Sequence, residues 1–293
     1  MKVLVTGVSG RVGRAVFVRL SARHEVRGFD RAPSSAVGLL GDLTDADAVE
    51  RAAAGANAIV HVGGLHAPHV GVVDDAEFDR VNVLGTRMLL AAALRHGIRR
   101  FVYTSTTALY GSASTPPSAA GWVSEDLEPR PKTVYHRTKL AAETLLRDAA
   151  NAHGLSVTIL RMSRCFPEPA PMMASYRLHR GIDARDVARA HELALGMDTS
   201  GFRVFNISGA TPFVAEDAPD LLRDAPSVLL RRAPELVRAF EARGWPLPAS
   251  IDRVYCPFKA EQELGWRSSY GFTEVLKMLD EESSEVLPPS AEF

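Results

Sequence analysis

The sequence predicts an α/β fold: a doubly wound parallel sheet with a small substrate-binding lobe supplied by the C-terminal part of the chain. Three observations carry this. Short apolar runs alternate with stretches of helical spacing over residues 1–162. A turn with three glycines, at Gly7, Gly10 and Gly13, follows the first run and opens the first helical stretch. Beyond 162 the alternation fades into proline-punctuated helical sequence and returns once, over 183–208. Strand-helix alternation makes a parallel sheet covered on both faces, and the right-handed crossover rule winds it in both directions from its first strand. The predicted division is therefore 1–162 with 183–208 as the sheet domain, and 163–182 with 209–280 as the smaller lobe.

Taken in order, residues 2–6 (KVLVT) form a short buried strand, and 11–22 a helix with Val12, Val16 and Leu20 on one face. Residues 25–30 form a second strand, and 37–40 a short third one before Asp42-Leu43. A helix spans 44–54, capped by Thr44 or Asp45. NAIVHV (57–62) is a strand, 76–96 one long helix and RRFVYTS (99–105) a strand. The Ser-, Pro- and Gly-rich stretch 111–133 reads as a loop, 134–153 as a helix and SVTILR (156–161) as a strand. Pro167, Pro169 and Pro171 make 165–182 a loop over the sheet edge. A helix at 183–195 capped by Asp183 and a strand at 202–208 follow. Residues 210–250 are mostly helical, 257–279 form short helices, and 281–293 read as a frayed tail.

Bulk properties exclude several classes of function. A hydrophobic fraction of 46% supports a sizeable core in 293 residues. A net charge of −1 with basic residues spread along the chain argues against a nucleic-acid binder. Cys165 and Cys256 match no metal-ligand spacing and no disulfide framework, which fits a reducing compartment. The first apolar run breaks at once into glycine, so it is no signal peptide, and no run reaches the ~18 apolar residues of a membrane span. The expectation is a soluble cytoplasmic protein with a small-molecule substrate, no metal, no nucleic acid and no membrane.

The turn Thr6-Gly7-Val8-Ser9-Gly10-Arg11-Val12-Gly13 carries the first chemical signal. Gly7 permits a tight turn, Gly10 lets the backbone approach a pyrophosphate, and Gly13 lets helix and strand pack closely. The helix N-terminus then faces phosphate charge. A dinucleotide is the cofactor this pattern selects. Asp30, ending the second strand, can accept hydrogen bonds from ribose hydroxyls and would repel a 2′-phosphate, which favours NAD over NADP. Arg11 and Arg31 weigh the other way, since either can pair with that phosphate. Asp42-Leu43 can contact adenine or serve only as a helix entry.

The second signal is Tyr135-His136-Arg137-Thr138-Lys139 at the start of a helix. Spacing of i, i+4 puts Tyr135 and Lys139 on one face. A free phenol titrates at about 10, so a base near pH 7 needs a shift of roughly 3 units, about 4 kcal/mol. An ammonium ~4 Å away at an effective dielectric near 20 supplies about that much. Lys139 would hold the phenol down while Tyr135 moves a hydroxyl proton. A third group is expected from Thr104-Ser105-Thr106-Thr107 at a strand end, where one hydroxyl can orient the reacting oxygen.

TGVSGRVG (6–13), Asp30, GDL (41–43), HVGG (61–64), NVLGTRMLLAA (82–92), TSTTALYG (104–111), YHRTK (135–139) and ARDVARAH (184–191) together resemble the extended short-chain dehydrogenases. That family holds NAD-dependent sugar epimerases, dehydratases and reductases. The likeness covers about 1–208 and returns weakly at AEQELGW (260–266). It implies Thr106 as the catalytic hydroxyl, with Ser105 as second choice, beside Tyr135 and Lys139. It also implies that Lys139 holds the nicotinamide ribose, that Val62, Gly63 and Gly64 run beside the cofactor, and that Asn82 lies near it. Dimers through the long helices at 76–96 and 134–153 are usual in the family, so a homodimer is expected.

Departures narrow the reading. The family's 4,6-dehydratases carry Asp and Glu directly after the catalytic threonine; here Thr107 and Ala108 stand there, which disfavours dehydration. Phe166-Pro167-Glu168-Pro169 is similar to the uronate dehydrogenases, although the residues that follow differ. Arg164, Arg177 or Arg180 can grip a substrate carboxylate or phosphate. The sequence thus points to hydride transfer at a hydroxyl-bearing carbon of a sugar, sugar nucleotide or sugar acid. The alternatives are a uronate-type dehydrogenase, a reductase of non-sugar carbonyls, and a non-catalytic NAD-binding regulator.

Overall fold

The computed structural model describes residues 1–197 and 200–289. The chain forms two compact units. The first comprises Met1–Leu109, Pro131–Arg161 and Val187–Phe205; the second comprises Tyr110–Arg130, Met162–Asp186 and the chain from Asn206 onward. Segment 110–130, assigned from sequence to the sheet domain, therefore lies in the second unit.

A seven-stranded sheet has the order β3 (Leu39–Leu40), β2 (Glu25–Asp30), β1 (Lys2–Thr6), β4 (Ala58–His61), β5 (Arg100–Thr106), β7 (Ser156–Met162), β8 (Gly201–Ile207). Parallel register is set by pairs such as Lys2↔Glu25, Val3↔Ala58 and Ala58↔Arg100. β1 lies between β2 and β4, so the winding reverses there and opens a crevice beyond the carboxyl ends of β1 and β4. The central strands β1 and β4 are nearly continuous apolar runs because helices cover both faces. One core joins Leu4, Ile59, Phe101 and Ile159 of the sheet to Leu89 and Ala92 of α4 (Gly85–Arg95) and to Leu146 of α5 (Val134–His153).

The other helices of the first unit are α1 (Arg11–Ser21), α2 (Ala46–Ala53), α3 (Asp75–Phe78) and most of α7 (Ala184–Gly196). Asp45, not Thr44, caps α2, its carboxylate accepting from the Ala48 amide at 3.1 Å. α5 starts at Thr133, whose hydroxyl accepts from the His136 amide, and stops at Gly154, which supplies the left-handed turn at φ 62°. The long helix expected over 76–96 is interrupted: α3 runs into a π-helical segment, Asp79–Leu84, before α4. There the Thr86 hydroxyl donates to the Asn82 carbonyl at 2.6 Å.

The second unit holds a two-stranded parallel sheet, β6 (Gly121–Val123) with β9 (Arg253–Tyr255), and helices α6 (Ala170–Tyr176), α8 (Ala218–Arg223), α9 (Ala225–Arg232), α10 (Pro234–Glu241), α11 (Phe258–Glu263) and α12 (Phe272–Asp280). Phe213, Leu221, Leu236, Phe240, Val254 and Val275 share its core. Three expectations need correction here. The loop read over 111–133 contains β6, three residues too short to show a period. The loop read over 165–182 contains α6, because Pro171 sits in the first turn, where a missing N–H costs nothing. The tail is not frayed over 281–289: Val286 is buried, and Leu287 bonds through its backbone to Glu168 and Ala170. Residues 290–293 of that tail lie outside the described residues. Cys165 is buried, Cys256 half-buried, and no disulfide joins them. Among the described residues no helix is long and apolar enough to cross a membrane.

A tight packing constraint lies at the glycine turn. A Cβ on Gly13 would lie 1.9 Å from the Gly7 carbonyl oxygen, whereas one on Gly196 at the end of α7 would meet nothing within 4 Å. Gly13→Ala is expected to lower stability by about 2 kcal/mol, overpacking outweighing the better helix propensity of alanine. Gly196→Ala should stay within ~0.5 kcal/mol of wild type. Urea unfolding of both variants checks this; equal midpoints would contradict the packing argument.

Candidate functional site

At the switch point Gly7 turns with φ +75°, and a Cβ there would sit 2.5 Å from the Gly63 amide nitrogen. The turn after β1 and the segment after β4 thus touch backbone to backbone. Gly10 differs: a Cβ would meet only the Gly7 oxygen, at 3.4 Å. α1 begins at Gly10 with no side-chain cap, while the Ser9 hydroxyl is turned to the Ala32 carbonyl at 2.6 Å. An uncapped helix start behind a glycine whose outer side is clear fits a pyrophosphate. Asp30 accepts from the Ser9 amide at 2.9 Å and the Ala32 amide at 3.0 Å, one through each oxygen. Each oxygen keeps a lone pair for a ribose hydroxyl. Val12 and Arg11 are half-buried at the helix start, and Arg31 is exposed beside Asp30.

Asp42 makes the bonds of a helix entry. One oxygen accepts from the Thr44 amide (2.9 Å) and hydroxyl (2.8 Å), and the other faces Arg80 at 3.4 Å. Arg80 also donates to Thr44 and pairs with Glu77. Leu43 packs where Gly63 and Gly85 have no side chain, since a Cβ on Gly85 would lie 2.9 Å from its Cβ.

Asn82, expected near the cofactor, is spent on protein groups. Its oxygen accepts from the Leu65 amide at 2.8 Å, and its nitrogen donates to the Leu65 carbonyl (3.0 Å) and the Thr138 hydroxyl (3.1 Å). The π segment presents it there, tying the stretch after Val62, Gly63 and Gly64 to α5. A second chain of bonds starts from His61, which is buried. The Thr86 hydroxyl donates to Asn82, so it accepts from His61 Nε2 at 3.1 Å. Nδ1 then accepts from Thr6 at 2.8 Å, and Thr6 in turn accepts from the Val62 and Gly63 amides. This network assigns the tautomer.

The end of β5 separates the two candidate hydroxyls. Thr106 is hydrogen-bonded to Tyr135, whereas the Ser105 hydroxyl donates to Glu143 at 2.5 Å. The structure brings Thr106 to Tyr135, sets Lys139 against the neighbouring Thr104 carbonyl, and turns Ser105 to Glu143. Lys139 is 6% exposed; its ammonium donates to the Thr104 carbonyl at 2.6 Å and lies 4.1 Å over the Tyr103 ring. Burial pulls its pKa down to about 7, with Glu143 opposing. Burial pushes the Tyr135 phenol up to about 12, with Thr106 opposing. In the chain without bound cofactor desolvation is the larger effect on the phenol, and the Lys139 ammonium is engaged by Thr104 and Tyr103.

Arg177, expected to grip substrate, is 2% exposed and paired with Asp183 at 3.1 Å. Arg180 stacks on Tyr176 and reaches Asp252. Arg164 is exposed and paired with Glu168, and keeps its candidacy in the second unit. Sequence reasoning missed Glu143 and Arg161, a buried pair at 2.7 Å. The signal was present: Glu143 stands in the buried stripe of α5, between Lys139 and Leu146. Among the described residues no cluster of ligating side chains could hold a metal.

Buried histidines make stability acid-sensitive, His61, His179 and His191 among them. His61 is held down to about 3 by burial first and by Lys139 second. His191, which accepts from Thr104 at 2.7 Å and donates from Nδ1 to Val187, is held down to about 4 by burial. Below about 6.5 the unfolded chain binds protons there and the folded chain does not, so stability falls as pH drops. Between pH 7 and 5 each histidine contributes a loss of about 2 kcal/mol. His191→Gln should lose about 2 kcal/mol less than wild type over that interval in urea unfolding; an equal loss would show that His191 is not neutral in the fold.

A model of the NAD dependent epimerase/dehydratase family matches residues 3–177. A dTDP-glucose 4,6-dehydratase of Streptomyces antibioticus is 30% identical over 323 residues, spanning 94% of this chain and 90% of that protein. A UDP-glucose 4-epimerase of Thermus thermophilus, solved with NAD, superposes with a TM-score of 0.69 at 25% identity, covering 94% of this chain and 97% of that one. A short-chain dehydrogenase/reductase superfamily protein from Agrobacterium tumefaciens with bound NAD shares the fold at a TM-score of 0.73 and 24% identity, covering 94% and 95%. With its glycine turn at the switch point of the sheet, the chain belongs to the NAD-dependent epimerase/dehydratase family of extended short-chain dehydrogenases.

Proposed function

We propose that the protein is an NAD-dependent oxidoreductase or epimerase acting at a hydroxyl-bearing carbon of a sugar, sugar nucleotide or sugar acid. The observation that carries it is the Thr106–Tyr135 hydrogen bond beside a buried Lys139. Gly7, Ser9, Gly10 and Gly13 cradle the cofactor's pyrophosphate, with Arg11 and Val12 at the same helix start. Asp30, with Arg31 beside it, takes the adenosine ribose, and Val62, Gly63 and Gly64 run along its path. NAD is favoured over NADP because a 2′-phosphate would face the Asp30 carboxylate. Bound NAD supplies the hydride acceptor and a positive ring charge.

Tyr135 moves the proton. At about 12 its phenol is protonated, ready as the acid that returns a proton to a carbonyl oxygen. Working as the base near pH 7 needs roughly 5 units, about 7 kcal/mol, which the positive ring of bound NAD and a Lys139 ammonium turned to the phenolate would supply together. Lys139 has three donors; Thr104 takes one, which leaves donors for the cofactor ribose and for the phenolate. Thr106 orients the substrate oxygen. The position two residues on is Ala108, so no carboxylate stands there to eliminate water, and oxidation or epimerisation is preferred to dehydration. A homodimer through α4 and α5 belongs to the same reading: the two helices pack together, and their outward residues include Leu94, Ala141 and Thr144.

A panel of nucleoside-diphosphate sugars, free sugars and uronates, followed by nicotinamide absorbance and product analysis, tests the activity. Product without net NADH marks an epimerase, and accumulating NADH a dehydrogenase. A 4-keto-6-deoxy product, or turnover of non-sugar carbonyls alone, would overturn the reading. With the substrate so found, Tyr135→Phe should lower kcat by about 10²–10⁴ while leaving NADH affinity near wild type. Thr106→Ala should cost at least ~10-fold more than Thr106→Ser. If Tyr135→Phe kept both NAD binding and the biological effect, the protein would be a regulator instead.

A further inference from the structure

Glu143 is a buried ionisable group that the proposed chemistry leaves unused. It lies one turn beyond Lys139 on α5 and is 0% exposed. Its carboxylate grips Arg161 as a fork, at 3.1 Å from Nε and 2.7 Å from Nη2, and also accepts the Ser105 hydroxyl. A buried ion pair is weak evidence of a stabilising role, because desolvation cancels most of the attraction. Its placement shows another use. Ser105 stands between the two residues of β5 that hold the site: Thr104, whose carbonyl accepts from Lys139, and Thr106, bonded to Tyr135.

We infer that Glu143 is the positioning residue of this centre: held by Arg161 and Ser105, its carboxylate keeps Lys139 an ammonium and locks the strand end on which Lys139 and Tyr135 rest. The groups facing Lys139 are His61 from β4, His66 from the loop after it, Tyr103 from β5, and Glu143 from α5. Glu143 is the carboxylate among them. His61 is held neutral, and an aromatic face and one carbonyl are the other attractions on the charge. Burial opposes the charge on Lys139 and Glu143 supports it. The meaning of this for turnover rests on the function proposed above; the charge balance does not.

The test is a pH titration of the Lys139 Cε resonance in full-length protein labelled with 13C-lysine, assigned by its loss in Lys139→Met. Glu143→Gln/Arg161→Met removes both charges, leaves no uncompensated arginine and keeps an amide oxygen for Ser105. Its Lys139 midpoint should fall by about one pH unit, the carboxylate's attraction at one helical turn less the opposing field of Arg161. Ser105→Ala should leave the midpoint in place, since it removes the lock and not the charge. An unchanged or raised midpoint in the double variant would overturn the inference, as would a fall in Ser105→Ala of the same size. If the double variant loses its fold, Glu143→Asp draws the charge back from Lys139 and must still lower the midpoint by a smaller step; no change there also overturns it. The titration needs no substrate, so a failure of the activity panel and a failure of this inference are read separately.

Discussion

An ammonium held out of water constrains everything around it. Lys139 is almost wholly buried, and such a charge persists only where donors are accepted and an opposite charge is near. The Thr104 carbonyl, the Tyr103 ring face and the Glu143 carboxylate meet those needs from two elements. That requirement fixes the distance between the end of β5 and the first two turns of α5. The same packing that buries Lys139 also buries Tyr135, so one geometry moves the two pKa values in opposite directions, the ammonium's down and the phenol's up. Pairs of groups whose environments shift their titration in this way are what acid–base chemistry near neutrality draws on.

A second constraint is backbone proximity. Gly7 and Gly13 stand where β1, α1 and the segment after β4 converge too closely for a Cβ, and one on Gly63 would lie 3.2 Å from the Gly7 amide. Polar bonds extend the arrangement outward, from Thr6 through His61 and Thr86 to Asn82, and from there to Thr138 on α5. The phosphate turn and the tyrosine helix are thereby joined by a continuous buried chain within the first unit. Each member has its donors and acceptors matched, which is what makes a buried polar network rigid rather than costly.

Much of this was legible in the residues. The glycine spacing, Asp30 and the i, i+4 relation of Tyr135 to Lys139 are local patterns, and local patterns survive translation into structure. The choice between Ser105 and Thr106 was not local. It depends on which side chain the end of β5 turns toward α5's first turn and which toward its third, and adjacent strand residues differ in that. Arg177 looked like an anion grip because nothing in a sequence distinguishes an arginine facing solvent from one sealed against Asp183. Asn82 was placed near the cofactor by resemblance; what the sequence did not show is that the π segment turns its amide onto Leu65 and Thr138. α6 was hidden by prolines that serve as helix starters there rather than breakers.

The sequence by itself determined the doubly wound sheet, the dinucleotide turn and the tyrosine–lysine pair, because each follows from spacing along one or two consecutive elements. Tertiary structure alone decided which hydroxyl joins Tyr135, which arginines are sealed in ion pairs, and which carboxylate stands behind Lys139. Those outcomes turn on burial and on partners brought from distant positions, such as Arg161 on β7 meeting Glu143 on α5. Desolvation and charge pairing are set by three-dimensional surroundings, and no one-dimensional period encodes them.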